Sequence, residues 1–206
     1  MYLEIIDNFL TKTYHKNLLE LLSGSHFNWK YVDNASDPKA EDKSVADFQG
    51  YGLTYDFWDE NRGPQPPYGS YIEPMLYQIM DVAKCGSILR ARADMVTWSK
   101  DEFIALPHVD FLFPNIAAVF YVNDNDGDTI LYNVKPKDER FGYDVSKDKD
   151  LKIVERVSPK ANRLALFDGD YLHTGSSPRK HKNKILINSN YSKNKGVDPL
   201  ANLRKK

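Results

Sequence analysis

Two histidines and an aspartate are the residues of this sequence best placed to do chemistry together. His108 and Asp110 stand two apart in Leu106-Pro107-His108-Val109-Asp110-Phe111. On an extended strand, residues two apart share a face, so an imidazole and a carboxylate spaced this way can converge on one metal ion. Alone, such a pair is matched equally well by an ordinary hydrogen-bonded couple. His173 strengthens it, because it lies in Phe167-Asp168-Gly169-Asp170-Tyr171-Leu172-His173-Thr174-Gly175, directly after an apolar run. A β-sandwich can bring the end of that strand beside the first pair. Two imidazoles and one carboxylate on one face of a metal leave its other positions open, which suits an iron(II) that must take both a chelating co-substrate and oxygen. Structural zinc prefers a closed shell of four ligands, and Cys85, the only cysteine, cannot supply the thiolates for one. Spacing leaves open a catalytic zinc held by the same three groups. His15, His26 and His181 fall in a helix or in polar loops without a carboxylate on a neighbouring strand, and most of them read as surface histidines.

The elements that must position these residues change character along the chain. A strand at Tyr2 to Ile6 leads into a helix capped by Thr11 or Thr13, with Leu18, Leu19 and Leu22 on its apolar face and its stop near Gly24. Asp33 to Lys43 is a polar loop, Gly50 to Trp58 is strand-like, and Asn61 to Gly69 is punctuated by proline and glycine. Ile72, Met75, Leu76, Ile79, Met80 and Ala83 recur at helical spacing, which predicts an amphipathic helix over Ser70 to Lys84, packed on a sheet and ended by Gly86. Beyond it come short apolar runs separated by turn residues, the pattern of a sandwich or barrel. Strands are expected at Ile88 to Trp98, at or just after His108 to Phe111, and at Ile116 to Val122, Thr129 to Val134, Arg163 to Phe167 and Lys184 to Asn190. Asp124 to Asp128 reads as a hairpin turn between two of them. Lys135 to Lys152 is densely charged and reads as a surface loop, with a lid as the alternative, and Arg204 to Lys206 as a solvated basic tail.

Bulk properties limit the function classes. The 206 residues suit one domain. With 41% hydrophobic and 28% charged residues and a net charge of -1, neither disorder nor a polyanion-binding surface is indicated, which speaks against nucleic acid as a partner. A single cysteine excludes an internal disulfide and favours a reducing, cytoplasmic setting. Met1 to Leu10 carries Glu4 and Asp7 and does not read as a signal peptide, and no run approaches the roughly 20 apolar residues of a membrane helix.

One more pattern joins these observations. The order His108-x-Asp110, Phe120-Tyr121-Val122-Asn123, Gly127-Asp128-Thr129, Asn162-Arg163-Leu164-Ala165-Leu166-Phe167, His173, then a basic residue opening a last strand, resembles the prolyl-4-hydroxylase-like branch of the 2-oxoglutarate/iron(II) dioxygenases, in its small bacterial and phage form. The resemblance spans Ile88 to Tyr191. It implies a mainly β fold with supporting helices, the double-stranded β-helix or jelly-roll shared with cupins, in one domain over 1–206 with a support region at 1–86 and the jelly-roll core at 87–191. It implies His108, Asp110 and His173 as catalytic iron(II) ligands, 2-oxoglutarate and oxygen as co-substrates, ascorbate as an optional addition, and succinate and carbon dioxide as products of a hydroxylation. In relatives a basic residue anchors the distal carboxylate of 2-oxoglutarate. By position that is Lys184, although the family more often has arginine there. Arg179 is chemically the better fork but lies in a polar loop after Pro178. Tyr121 matches a tyrosine that in relatives donates its hydroxyl to the same carboxylate, with a core strand aromatic as the alternative, and Thr129 reads either as lining the same pocket or as a β-branched residue after a turn.

Two further expectations concern charge. Arg163 reads as a structural ion pair. Strand alternation puts Arg90, Arg92, Asp94, Val96 and Trp98 on one face, and charges facing inward are expensive unless paired or used, so this face is either solvated or borders the mouth of a site, with Arg92 and Trp98 at that mouth. The rival readings are a non-catalytic jelly-roll binding protein and a zinc-dependent hydrolase using the same ligands. The primary substrate, a peptide (prolyl or otherwise) or a metabolite, would be chosen by the loops Asp33 to Asp47 and Pro136 to Lys152.

Overall fold

Strands with apolar side chains on both faces need a cover on each side. The computed structural model describes residues 1–32, 51–137 and 149–193. In chain order it holds β1 (Leu3–Asp7), α1 (Lys12–Ser23), β2 (Lys30–Val32), β3 (Gly52–Asp59), β4 (Gly63–Pro64), α2 (Gly69–Ala83), β5 (Ile88–Thr97), β6 (Asn115–Tyr121), β7 (Thr129–Tyr132), β8 (Ile153–Val157), β9 (Arg163–Asp168), β10 (His173–Gly175) and β11 (Asn183–Ser192). A major sheet runs β1-β9-β6-β11-β5-β3-β2, with β4 paired to β3, and a minor sheet runs β10-β7-β8. Every pairing is antiparallel.

Alternation then sorts the side chains of the major sheet. Ala91, Ala93, Phe120, Leu164, Leu166, Ile185 and Ile187 join Leu18 and Leu22 of α1 and Ile72, Met75, Leu76 and Ile79 of α2 in one buried cluster. The intervening residues Ala117, Val119, Tyr121, Ala165, Phe167 and Leu186 pack with Leu131 and Val157 of the minor sheet in a second. Fully burying a side chain such as leucine or isoleucine is worth about 1.5–3 kcal/mol, so each face is anchored by its own partner layer. Asn162, just before β9, ties that strand's start to the approach to α1. It takes a left-handed backbone (φ 63), and its buried amide accepts from the Leu10 backbone N–H and donates to the Leu10 carbonyl, both at 2.8 Å. Asparagine is among the few residues that tolerate that backbone region. Arg163 forms the expected structural pair, with Nε 2.7 Å from Asp7 Oδ1.

Several expectations need correction. The segment containing His108 and Asp110 is not a strand; a single bridge, His108 to His173, is all the pairing it makes, because Pro107 has no N–H to extend a ladder. Asp124 to Asp128 is not a hairpin turn. It carries the chain from β6 in the major sheet to β7 in the minor one. Lys84, in the left-handed region at φ 50, ends α2 in place of Gly86. The strands β2, β8 and β10 were not anticipated, being short or poor in alternation. His26 and His181 are exposed as expected, whereas His15 is half-buried, with its Nε2 2.8 Å from the Val122 carbonyl and its ring edge-on against Phe120. The expectations for 33–47, most of Lys135 to Lys152, and Arg204 to Lys206 lie outside the described residues. Among the described residues no helix is long and apolar enough to cross a membrane.

Candidate metal centre

The bridge between His108 and His173 sets the geometry of the site. Each residue's N–H donates to the other's carbonyl at 3.0 Å, which places the two rings 4.9 Å apart, centroid to centroid. Asp110 completes the group: its Oδ2 lies 3.7 Å from His173 Nε2, and one donor atom from each of the three residues falls within 4.8 Å of the others.

Side-chain chemistry favours a metal at this point. His108 Nδ1 lies 3.1 Å from the Leu106 carbonyl and His173 Nδ1 lies 2.9 Å from the Tyr171 carbonyl. A carbonyl can only accept, so both Nδ1 atoms carry the proton and both lone pairs sit on Nε2, as in metal-binding histidines oriented by a second partner. Burial, helped by the neighbouring His173, lowers the His108 pKa to about 4, so the ring is neutral at pH 7. Burial pushes the Asp110 carboxyl up, but the Arg90 guanidinium and the two imidazoles outweigh it and hold the group well below its usual range. Two imidazoles and one carboxylate form a donor set that fits iron(II).

Asp110 is itself held on both oxygens. Arg90 Nη2 donates to Oδ1 at 2.7 Å and Asn190 Nδ2 donates to Oδ2 at 3.0 Å. Strand alternation puts Arg90 on this face but names no partner for it, and the sequence reading does not single out Asn190. The signal for Asn190 was the alternation along β11, which sets polar Lys184, Asn188 and Asn190 opposite apolar Ile185, Ile187 and Tyr191.

A cavity of about 130 Å³ opens beside His108, walled among others by Arg92, Asp94, Phe103, Gly175, Ser176 and Asn188. The remaining candidates divide by position. Arg92 reaches the cavity wall as anticipated. Trp98 does not; it lies beyond β5, half exposed, with its Nε1–H on the Arg179 carbonyl at 2.8 Å. Lys184 is 1% exposed, with its ammonium directed at the carbonyls of Asp128 (3.1 Å) and Ser176 (3.4 Å). A Cβ on Gly175 would come within 3.1 Å of that ammonium, so the glycine makes room for the charge beside the cavity. Tyr121 donates to Thr129 Oγ1 at 2.7 Å, and Thr129, next to Asp128, pairs with Gly175. Lys184, Tyr121 and Thr129 therefore gather at one end of the interior. Arg179 stays on the exposed loop, where its backbone N–H donates to Asp126 at 3.2 Å.

No protein-family model matches the sequence, and no curated protein matches it. Solved structures do resemble it in shape. A 2OG-Fe(II) oxygenase family oxidoreductase from Burkholderia pseudomallei superposes with a TM-score of 0.63 at 10% identity, over 95% of this chain and 87% of its own. A prolyl hydroxylase from Trichoplax adhaerens, in complex with a hypoxia inducible factor peptide fragment, gives 0.57 at 14% identity over 93% and 83%. HygX from Streptomyces hygroscopicus, with nickel, 2-oxoglutarate and hygromycin B bound, gives 0.52 at 13% identity over 92% and 82%. Two opposed antiparallel sheets, backed by helices on one side, give this chain the double-stranded β-helix fold that these solved structures share, with the two-histidine, one-aspartate cluster set between the sheets.

Proposed function

We propose that this chain is a 2-oxoglutarate- and iron(II)-dependent dioxygenase that hydroxylates a peptidyl substrate, prolyl or otherwise, or a small molecule. The observation that carries the reading is the meeting of His108, Asp110 and His173 at the edge of a cavity within this fold. Iron(II) bound there supplies the oxidising chemistry: with one oxygen molecule, a substrate C–H becomes C–OH while 2-oxoglutarate becomes succinate and carbon dioxide. The protein's own groups do the rest. His108 and His173 present their Nε2 atoms and Asp110 the single negative charge, with Arg90 and Asn190 fixing its orientation.

Lys184 is assigned the distal carboxylate of 2-oxoglutarate. Its buried ammonium has only backbone carbonyls as hydrogen-bond acceptors and no ion-pair partner among the described residues. A cation in that condition is expensive until a carboxylate joins it. Burial also keeps the Tyr121 phenol protonated, so it remains a donor that can turn, with Thr129, toward the same carboxylate. Arg179, free of the cavity wall, is left out of this role. The relatives solved with a peptide and with hygromycin B indicate that this fold serves both kinds of molecule.

The test is turnover without a primary substrate. Purified protein with iron(II), ascorbate and 2-oxoglutarate labelled at C1 is expected to release labelled carbon dioxide, and His108→Ala to release none. A wild-type protein that binds iron(II) yet releases no label would move the reading to a non-catalytic binding protein.

A further inference from the structure

Arg92 differs from the other inward-facing cations in what it leaves unused. Arg90 spends a terminal nitrogen on Asp110 and Asn190, and Lys184 is enclosed behind Gly175. Arg92 meets Asp94 along its Nε edge, 2.8 Å from Oδ1, where Nε lacks the alignment of a hydrogen bond. Its two terminal nitrogens have no hydrogen-bond partner among the described residues. The side chain is nevertheless only 28% exposed and forms part of the cavity wall that also includes His108.

The neighbours hold the guanidinium in this state. Asn188 donates to Asp94 Oδ2 at 2.7 Å, so the Asp94 carboxylate is restrained on one oxygen by the amide and faces Arg92 with the other. Asp56, opposite Arg92 in the β3–β5 ladder, and Asp110 reinforce the positive charge, and the guanidinium stays ionised. A planar fork with its outer edge uncommitted and little water around it matches one ligand group best, a carboxylate received by two parallel hydrogen bonds. Phosphate, near −2 in charge, is disfavoured beside Asp94, and a neutral group would forgo the charge-assisted pair of hydrogen bonds that the outer edge can donate.

We propose that Arg92, positioned by Asp94 and Asn188, binds a carboxylate of the primary substrate, so that the substrate class is a carboxylate-bearing molecule, either a free acid or an acidic side chain of a peptide. This rests on the oxygenase reading, in which the metal beside His108 and the co-substrate carboxylate at Lys184 are already accounted for.

Binding is measured by calorimetry on protein loaded with Mn(II) and 2-oxoglutarate, so that no turnover intervenes. Two probe sets are titrated: N-acetyl amino acids, each against its C-terminal amide, and acetylated, amidated tripeptides with a central Asp or Glu, each against Asn or Gln. In one set the acid is expected to bind about tenfold or more tightly than its amide, the span of a charge-assisted hydrogen bond. Preference in the first set identifies a free acid, and in the second an acidic peptide. Arg92→Gln should erase the preference and leave Mn(II) and 2-oxoglutarate affinities within about twofold of wild type, while Arg92→Lys should retain part of it. If Arg92→Gln does not fold, Arg92→Gln/Asp94→Asn, which removes both charges, carries the same expectation. The proposal is overturned if neither set shows acid preference, if the glutamine variant keeps it, or if that variant loses 2-oxoglutarate instead. Wild-type protein that takes up Mn(II) but not 2-oxoglutarate would overturn the oxygenase reading itself.

Discussion

The two faces of β11 solve opposite problems with neighbouring residues. Ile185, Ile187 and Tyr191 face the helix-backed core and are 1% exposed or less. Lys184, Asn188 and Asn190 alternate with them and point into the jelly-roll, where Asn190 supports Asp110, Asn188 supports Asp94, and Lys184 stands among carbonyls. An apolar residue in any of those three places would satisfy burial with less difficulty, since a polar group taken from water must find a partner. The difference teaches that the outer face carries stability and the inner face carries the site, and that substitutions on the two faces should separate cleanly.

The largest effect is expected at the metal. His173→Ala should weaken Mn(II) or iron(II) binding by more than the roughly 100-fold that loss of a supporting partner can cause, as read by calorimetry, with the protein still folded by circular dichroism. On the opposite face, Ile187→Ala should lower unfolding free energy by about 2–5 kcal/mol in urea titration while metal affinity of the folded protein is unchanged. A joint loss of both properties in Ile187→Ala would break the division of faces. Arg90→Met should reduce metal affinity by about 10–100-fold with little change in melting temperature, because its contribution passes through Asp110.

The smallest effect sharpens the comparison at Lys184. Burial lowers its pKa from the ordinary 10.5 to about 8. Between those values Lys184 binds more protons in the unfolded chain than in the folded one, so its own contribution to the stability of the ligand-free protein should rise with pH from about 8 to 10.5, the penalty of the buried charge being present in full below 8. That contribution is read as the difference between wild type and Lys184→Met in urea titrations at stepped pH, a difference that should shrink as pH rises from about 8 to 10.5. The same proton is needed to attract a carboxylate, so wild-type affinity for 2-oxoglutarate should decline above pH 8, and the methionine variant should bind it about tenfold or more weakly at pH 7. A flat pH profile in the wild type would remove Lys184 from the anchoring role.

The helices and most long strands could be read from periodicity, because burial of one face leaves a spacing of 3.6 or 2 in the residues themselves. Leu18 and Leu22, or Ile72, Met75, Leu76 and Ile79, are buried as their spacing foretold. Short strands such as β10 could not be read, since three residues carry no period. The turn chemistry of Asp124 to Asp128 was equally ambiguous: Asp, Asn and Gly favour a reversal of direction but do not say which sheet receives the chain.

The sequence by itself determined the donor types, their order, and the alternation that sends Lys184, Asn188 and Asn190 to one side of a strand. Only the tertiary structure decided that His108 pairs with His173, that Arg90 holds Asp110, and that Arg92 keeps an edge uncommitted in the cavity wall. Which face a residue occupies is a local property of the backbone, whereas which partner waits there depends on how distant strands pack, and no short stretch of sequence contains that information.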